Sequence, residues 1–243
     1  MLKFYKLMSD HDHLSSQGLI ALIPAFNEEN RIAPVIEAAR RYLPVLVVDD
    51  GSHDRTVEVA QSCGAEVLRQ VPNQGKGAAL RAGFRFVLEH AYDAVITLDA
   101  DGQHDPQEIP DFLAVYSESN PDLLIGRRDF SQMPLVRRMA NTLGRLTFSW
   151  AMGRNIPDNQ SGYRLLSRRM MESLLDSQEQ GFEFEVEMIE VCVKKEYRLD
   201  WVPIRTIYAG ESSHIQPMKH LRQFLRIVWQ TRQTMKSSKS AQI

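Results

Sequence analysis

Three short apolar runs, each ending in acidic or amide side chains, constrain this chain more than any other feature. Leu19 to Pro24 leads into Asn27-Glu28, Val45 to Val48 into Asp49-Asp50-Gly51-Ser52, and Ala94 to Leu98 into Asp99-Ala100-Asp101. The runs have the length of strands. Helical spacing fills the intervals, over about Asn30 to Arg41, Arg55 to Cys63 and a stretch closing near His90. A short strand is expected around Ala65 to Leu68, a helix from near Pro106 and a strand at Leu123 to Gly126. Strands alternating with helices predict an α/β fold, a mostly parallel sheet with helices on both faces. Ligands of such sheets bind beyond the carboxyl ends of the strands. The polar clusters are therefore expected to converge on one edge.

The second half is less regular. The spacing predicts a helix over Leu135 to Met152, with Leu143, Leu146, Thr147, Trp150 and Ala151 on one side. A loop from Asn155 to Gly162, a strand at Tyr163 to Leu166, a helix from Glu183 to Lys195 and a strand from Leu199 to Ile207 follow. Met170, Met171 and Met188 read as core. Pro217 to about Met235 reads as a basic amphipathic helix, with Leu221, Phe224, Leu225 and Val228 in one stripe beside Lys219, Arg222 and Arg226. With Trp229, such a helix suits an anionic membrane surface, and it suits docking on its own domain equally well. Residues after Lys236 read as disordered.

A chain of 243 residues can bury the core of one large α/β domain. Its 29 Lys and Arg against 31 Asp and Glu leave a net charge of −2, which argues against a nucleic-acid partner. The charge is uneven: no acidic residue follows Glu211, whereas Lys219, Arg222, Arg226, Arg232, Lys236 and Lys239 do. Cys63 and Cys192 fall in apolar helical patterns and are expected as buried free thiols of a reducing compartment. The first residues lack the apolar run of a signal peptide. No stretch approaches the ~20 apolar residues that span a bilayer. A cytoplasmic protein, soluble or peripheral on a membrane, is expected.

Asp99 and Asp101, one residue apart where a strand ends, can share a divalent cation with a ligand's phosphates. Mg²⁺ and Mn²⁺ take hard oxygen ligands and keep positions open for phosphate. If the segment stays extended, Asp99, Asp101 and Gln103 point to the same side. His104 reads as turn-facing rather than as a fourth ligand, and Asp105-Pro106 as the cap of the next helix. Lys76, in Gly75-Lys76-Gly77 at a helix start, either meets an anion, which the helix dipole favours, or stands in water on a tight turn. Arg127 or Arg128, with Arg137 or Arg138, can oppose a metal with positive charge, since the guanidinium fork suits phosphate; a solvated basic stretch is the other reading.

The ordered set Ile23-Pro24-Ala25-Phe26-Asn27-Glu28, Val47-Val48-Asp49-Asp50-Gly51-Ser52-His53-Asp54-Arg55-Thr56, Asn73-Gln74-Gly75-Lys76-Gly77 and Leu98-Asp99-Ala100-Asp101-Gly102-Gln103-His104 resembles glycosyltransferase family 2. More closely, it resembles the polyprenyl-phosphate glycosyltransferases of the dolichyl-phosphate mannose synthase type. The resemblance continues through Gly126-Arg127-Arg128, Asp158-Asn159-Gln160-Ser161-Gly162-Tyr163 and Gly210-Glu211-Ser212. It implies a GT-A (Rossmann-like) fold, a UDP- or GDP-sugar donor, a divalent metal (Mg²⁺ or Mn²⁺) and inversion at the anomeric carbon. Asp99, Asp101 and Gln103 would hold the metal. Pro24, Phe26, Glu28, Val48, Asp50, Lys76, Ala100, Asp101, Arg128 and Arg138 would bind the donor, and Asp101, Arg128 and Asp158 would be catalytic.

Asp50 would meet the base or ribose, unless it and Asp49 cap the following helix. Phe26 stands where the family usually has Tyr, keeping the stacking face without the hydroxyl. Asp158 would be a base, an acceptor-site residue or the cap of its own loop. The implied division is an N-terminal extension (1–17), a glycosyltransferase domain (18–216), and a basic amphipathic helix and tail (217–243).

A polyprenyl phosphate is already ionised at neutral pH and needs placement more than a base, whereas a sugar hydroxyl needs a carboxylate base. Those synthases commonly carry a basic residue shortly before Gly-Glu-Ser and Lys directly after it. Here Arg205 is displaced and Ser213-His214 replaces the Lys. Three activities remain to be separated: transfer to a polyprenyl phosphate at the cytoplasmic membrane face, transfer to a hydroxyl of a glycan or small molecule, and a catalytically silent nucleotide- or membrane-binding scaffold.

Overall fold

A computed structural model of the chain describes residues 18–129, 135–181, 183–205 and seven positions between 226 and 235; within 135–141 only the side chain of Arg138 is described. The N-terminal extension, Gly210-Glu211-Ser212 and the stripe residues Leu221, Phe224 and Leu225 lie outside these residues. The elements run β1 (Leu19–Ala25), α1 (Ile32–Ala39), β2 (Val45–Asp49), α2 (Thr56–Ser62), β3 (Glu66–Arg69), α3 (Lys76–Glu89) and β4 (Ala94–Thr97). A 3-10 turn (Pro106–Glu108), α4 (Ile109–Ser119), β5 (Leu123–Arg128), α5 (Leu135–Met152), β6 (Arg164–Ser167), α6 (Arg168–Glu172), α7 (Glu183–Lys194) and β7 (Leu199–Ile204) complete them.

The seven strands form one sheet in the order β3-β2-β1-β4-β6-β5-β7. All neighbours are parallel except β6, which is antiparallel to both β4 and β5. Two reversals restore the direction, so β5 and β7 run with β1, β2, β3 and β4. The carboxyl ends of all six open on one edge.

β1 shows why the sheet needs cover on both sides. Successive side chains of a strand point to opposite faces. Leu19, Ala21 and Ile23 join one buried cluster with Ile32 and Ile36 of α1, Ala60 of α2 and Phe112 of α4. Ile20 and Leu22 join another with Phe84 of α3, Phe148 of α5 and Phe184 of α7. Such near-continuous apolar runs are what doubly covered parallel strands require. Met170, Met171 and Met188 lie in the second cluster, as expected.

Local signals fix several element ends. Asp105 accepts from the Gln107 N–H at 3.0 Å and caps the 3-10 turn, with Pro106 in its first position. Asn120, in the left-handed region, closes α4. At the C-terminus, Val228, Thr231 and Met235 are buried, and Thr231 donates to Glu190 of α7. The described part of that helix is therefore docked on its own domain.

The expectation of two buried thiols holds for one of them only. Cys192 is buried, but Cys63, at the end of α2, is only half-buried. Burial pushes the Cys192 thiol up to about 12. A thiol reacts as its thiolate, so one free thiol is expected to react with Ellman's reagent in the native protein and two in denaturant. Two fast native equivalents would contradict the packing around Cys192.

Candidate active site

The loops after β1 and β2 are joined by hydrogen bonds at the sheet edge. Ser52 Oγ accepts from the Asn27 N–H (2.9 Å), Thr56 Oγ1 from the Glu28 N–H (2.7 Å), and Asn27 Oδ1 from the His53 N–H (2.9 Å). Asn27 itself takes a positive φ of 56°. Beside half-buried Pro24, the Phe26 ring is 42% exposed, with His53 against it edge-on at 6.4 Å. One aromatic face is left available for a planar ring to stack on. Glu28 is held by Arg31 through two contacts of 2.7 and 2.9 Å.

Asp49 and Asp50 do not cap α2. The Thr56 N–H at its start goes to Asp54 at 3.0 Å. Asp49 accepts from the Ser52 N–H at 3.2 Å and pairs with Arg69 at 3.3 Å. Asp50 accepts from the Gln74 N–H (2.8 Å), the Gly75 N–H (2.7 Å) and Gln70 Nε2 (2.5 Å). Three of roughly four acceptor positions on that carboxylate thus fix the loop that leads into α3. Val48 and Ala100 are buried in the core, so neither side chain lines a ligand surface.

The acidic motif is a turn, not an extended segment. β4 stops at Thr97, Gly102 takes a φ of +78°, and Asp101 Oδ1 accepts from the Gln103 N–H at 2.9 Å. The same-side argument for Asp99, Asp101 and Gln103 therefore does not hold; the turn sets their placement. His104 folds under it: the Asp99 N–H donates to His104 Nδ1 (3.2 Å), and the ring packs on Tyr163 at 5.2 Å. Burial lowers the His104 pKa, which keeps the ring neutral and its Nδ1 an acceptor.

Lys76 does not stand in water on a tight turn. Its ammonium lies 2.5 Å from Asp99 Oδ1 and 2.8 Å from Glu185 Oε1. Burial alone would discharge Lys76, but the two carboxylates hold its pKa above the ordinary lysine value. Burial alone would likewise raise the Asp99 carboxyl, and the ammonium holds it well below the usual carboxylate range. The glycines explain the Gly-Lys-Gly signature. A Cβ on Gly75, whose φ is +93°, would lie 2.5 Å from Gln180 O, and the Gly77 N–H donates to that same oxygen at 2.7 Å.

Two further residues escaped the sequence reading. Glu185 opens α7 in Phe-Glu-Phe-Glu, where acidic side chains also serve the helix dipole. Arg164, 1% exposed in an apolar strand, donates to the carbonyls of Ser161 (2.8 Å) and Glu185 (2.5 Å). It ties the 158–162 loop to the start of α7.

On the other side of that loop, Arg128 and buried Asp158 form a two-pronged ion pair of 2.7 and 2.9 Å. Asp158 also accepts from the backbone N–H groups of Arg128 (3.3 Å) and Gln160 (3.0 Å). It braces its loop and aims the guanidinium, and so does not stand ready as a base. Arg127, Arg128, Arg138 and Arg145 line a cleft of about 630 Å³. The side chain of Arg137 is outside the described residues. Arg205 is turned back to Asp105 (3.6 Å) and Glu108 (3.4 Å).

A divalent cation fits the acidic turn. Its donors are hard oxygens, an ammonium already occupies a cation position on Asp99, and Gly162 keeps the place open. A Cβ on Gly162 would come within 2.9 Å of Asp99 Oδ2 and 3.0 Å of Glu185 Oε1. Among the described residues no three His, Cys, Asp or Glu gather into a full ligand set. Mg²⁺ and Mn²⁺ commonly use one or two carboxylates and complete their shell with phosphate and water. Because Lys76 competes for Asp99, Lys76→Met is predicted to bind Mn²⁺ several-fold more tightly without nucleotide, read by the electron paramagnetic resonance of free Mn²⁺. Removing the ammonium leaves Asp99 and buried Glu185 facing each other without their shared partner, so metal-free Lys76→Met should also melt earlier and regain stability with Mn²⁺. Unchanged Mn²⁺ affinity would refute the competition.

The chain has relatives of known family. Residues 20–175 match the family described as glycosyl transferase family 2. The undecaprenyl-phosphate mannosyltransferase of Micrococcus luteus is 33% identical over 201 residues, covering 76% of this chain and 82% of that one. The UDP-N-acetylglucosamine–dolichyl-phosphate N-acetylglucosaminyltransferase of Methanococcus voltae is 28% identical, covering 82% and 89%. In fold, the chain superimposes on glucosyl-3-phosphoglycerate synthase of Mycobacterium tuberculosis with a TM-score of 0.72 at 18% identity, over 91% of this chain and 83% of that one. Another crystal of that synthase holds Mn²⁺ and uridine diphosphate. The ordered acidic turns, the GT-A architecture and a match over most of its length agree: the chain is a glycosyltransferase and belongs to glycosyltransferase family 2.

Proposed function

We propose that the enzyme moves one sugar from a nucleoside-diphosphate sugar to a polyprenyl phosphate, with inversion, at the cytoplasmic face of a membrane. One observation carries the reading: an acidic turn whose Asp99 already pairs with an ammonium and a four-arginine cleft open on the same sheet edge, linked by the 158–162 loop. The names of the Micrococcus and Methanococcus relatives support the acceptor class.

In this reading the donor's base stacks on Phe26, and its diphosphate lies at Asp99, Asp101 and Gln103. Asp99, Asp101 and Gln103 would hold a divalent cation there, which would supply charge neutralisation to the leaving nucleotide. Arg128 and Arg138, expected on the donor side, are reassigned in this reading because both line the arginine cleft, and the acceptor phosphate sits among them and their neighbours. Its oxygen forms a bond to the anomeric carbon from the face opposite the diphosphate, while the carbon–diphosphate bond breaks and the nucleotide leaves with the electron pair. An ionised phosphate brings no proton to remove, so placement and charge stabilisation suffice. The engaged state of Asp158 agrees with a reaction that needs no base.

A second reading, transfer to a small phosphorylated hydroxyl compound, is favoured by the likeness to a synthase crystallised with phosphoglyceric acid. Such a phosphate also fits an arginine cleft, but the reaction asks for a base that Asp158 in its present pairing does not offer.

Thermal unfolding with UDP or GDP, each with Mn²⁺, Mg²⁺ or EDTA, tests the donor site. Ligand at a hundredfold excess over its dissociation constant stabilises by about 2.7 kcal/mol. One nucleotide should give that shift with metal only, and Asp101→Asn should abolish it. No shift with either nucleotide would overturn the donor reading. For the acceptor, Arg138→Ala removes a charge-assisted contact worth about 1.5–3 kcal/mol. It should raise the KM for polyprenyl phosphate about tenfold or more while leaving the nucleotide shift intact. Turnover with soluble acceptors alone would favour the second reading.

A further inference from the structure

Among the described residues six large apolar side chains are exposed, and four of them lie together: Leu143, Leu146 and Trp150 on α5, and Trp229 on the C-terminal helix. The α5 positions are spaced i, i+3, i+7 and share one face, while Phe148, Ala151 and Met152 turn into the core. Arg232 joins the two helices. Its guanidinium lies 4.7 Å over the Trp150 ring and donates to the Trp150 carbonyl at 3.2 Å. Trp229 stands one turn before Arg232. With Val228, Thr231 and Met235 directed inward, the docked helix presents Trp229 outward at 64% exposure.

The charge around this face selects its occupant. Neither α5 nor the chain from 212 to 243 contains a carboxylate. Arg138 and Arg154 are exposed and Arg232 half-buried, while Glu190 of α7, which the docked helix meets, is taken up by Thr231 and Lys194, so the two helices bring only basic charge to this face. A second copy would bring the same basic rim against it. Trp and Leu within a rim of Arg match the boundary between anionic headgroups and acyl chains. Thr142 and Arg145, which line the arginine cleft, alternate in sequence with Leu143 and Leu146.

We infer that the Leu143–Leu146–Trp150–Trp229 face docks the enzyme on an anionic lipid bilayer and so holds the arginine cleft at headgroup level. This deepens the proposed lipid-phosphate reading and rests on it for the identity of the acceptor. The apolar stripe expected on the C-terminal helix is, where described, spent on the domain, and α5 supplies the membrane-facing side chains.

The test uses vesicles of phosphatidylcholine with about one third phosphatidylglycerol, vesicles of phosphatidylcholine alone, and no polyprenyl phosphate in either. The wild-type chain should co-sediment with the anionic vesicles and leave the neutral ones. In Leu143→Glu/Leu146→Glu, partitioning should fall about tenfold or more, since each change replaces apolar surface that docking buries by a charge, with the nucleotide-induced thermal shift unchanged. If that variant unfolds, Trp229→Ser serves, because its side chain stands clear of the core and the same direction of change is expected. Absent wild-type binding, equal binding to both vesicles, or undiminished binding by the folded variants overturns the inference. A wild-type dimer in solution that the substitutions dissociate overturns it in favour of a second copy. Vesicle binding without transfer to polyprenyl phosphate would refute the acceptor reading and leave this surface standing; transfer without vesicle binding would do the reverse.

Discussion

The edge of the sheet is organised by charges that pair where water is scarce. Lys76, from the start of α3, reaches Asp99 after β4 and Glu185 on α7, and Arg164 fixes the carbonyl of Glu185 from behind. Charges placed out of water cost several kcal/mol each unless partners answer them. That cost makes the arrangement cooperative: α3, the acidic turn, the 158–162 loop and α7 adopt their relative positions together. The backbone reinforces it, since Gly75 and Gly77 let the helix start approach Gln180 closely.

A second, independent pairing governs the other half of the site. Arg128 and Asp158 lock each other, so one guanidinium faces the cleft in a fixed orientation. In the proposed reaction, acceptor-side charge would be preorganised by a carboxylate that stays paired with Arg128. Preorganised dipoles and charges are effective because they need not reorganise as the reaction proceeds.

Much of this was legible in the sequence. Apolar runs of strand length with polar ends announced the sheet and its functional edge, and Asp105-Pro106 announced a cap that the structure has. What stayed hidden depends on long-range pairing. Glu185 looks like any acidic residue in a first helical turn, and only its approach to Lys76, more than a hundred residues earlier, gives it another role. Arg164 breaks an apolar strand pattern without showing that carbonyls will enclose it. The glycine after Asp101 bends the motif and so defeats the strand alternation that was extended through it. Cys63 sits at a helix end, where periodicity says little about cover.

The reversed direction of β6 has a consequence for how the enzyme can vary. The donor-side loops leave the ends of parallel strands β1, β2 and β4, each stitched to its neighbour. The 158–162 loop instead enters β6 from the same edge, at the close of an excursion that begins after β5 and includes α5. That excursion carries Arg138, Arg145 and Asp158 and is anchored on the sheet through Phe148, Met152 and Ile156. In the proposed reading, changes in its cleft-facing residues would remodel what receives the sugar while β1, β2 and β4 keep the loops that meet what delivers it. The antiparallel strand would then make acceptor choice a separable part of the fold.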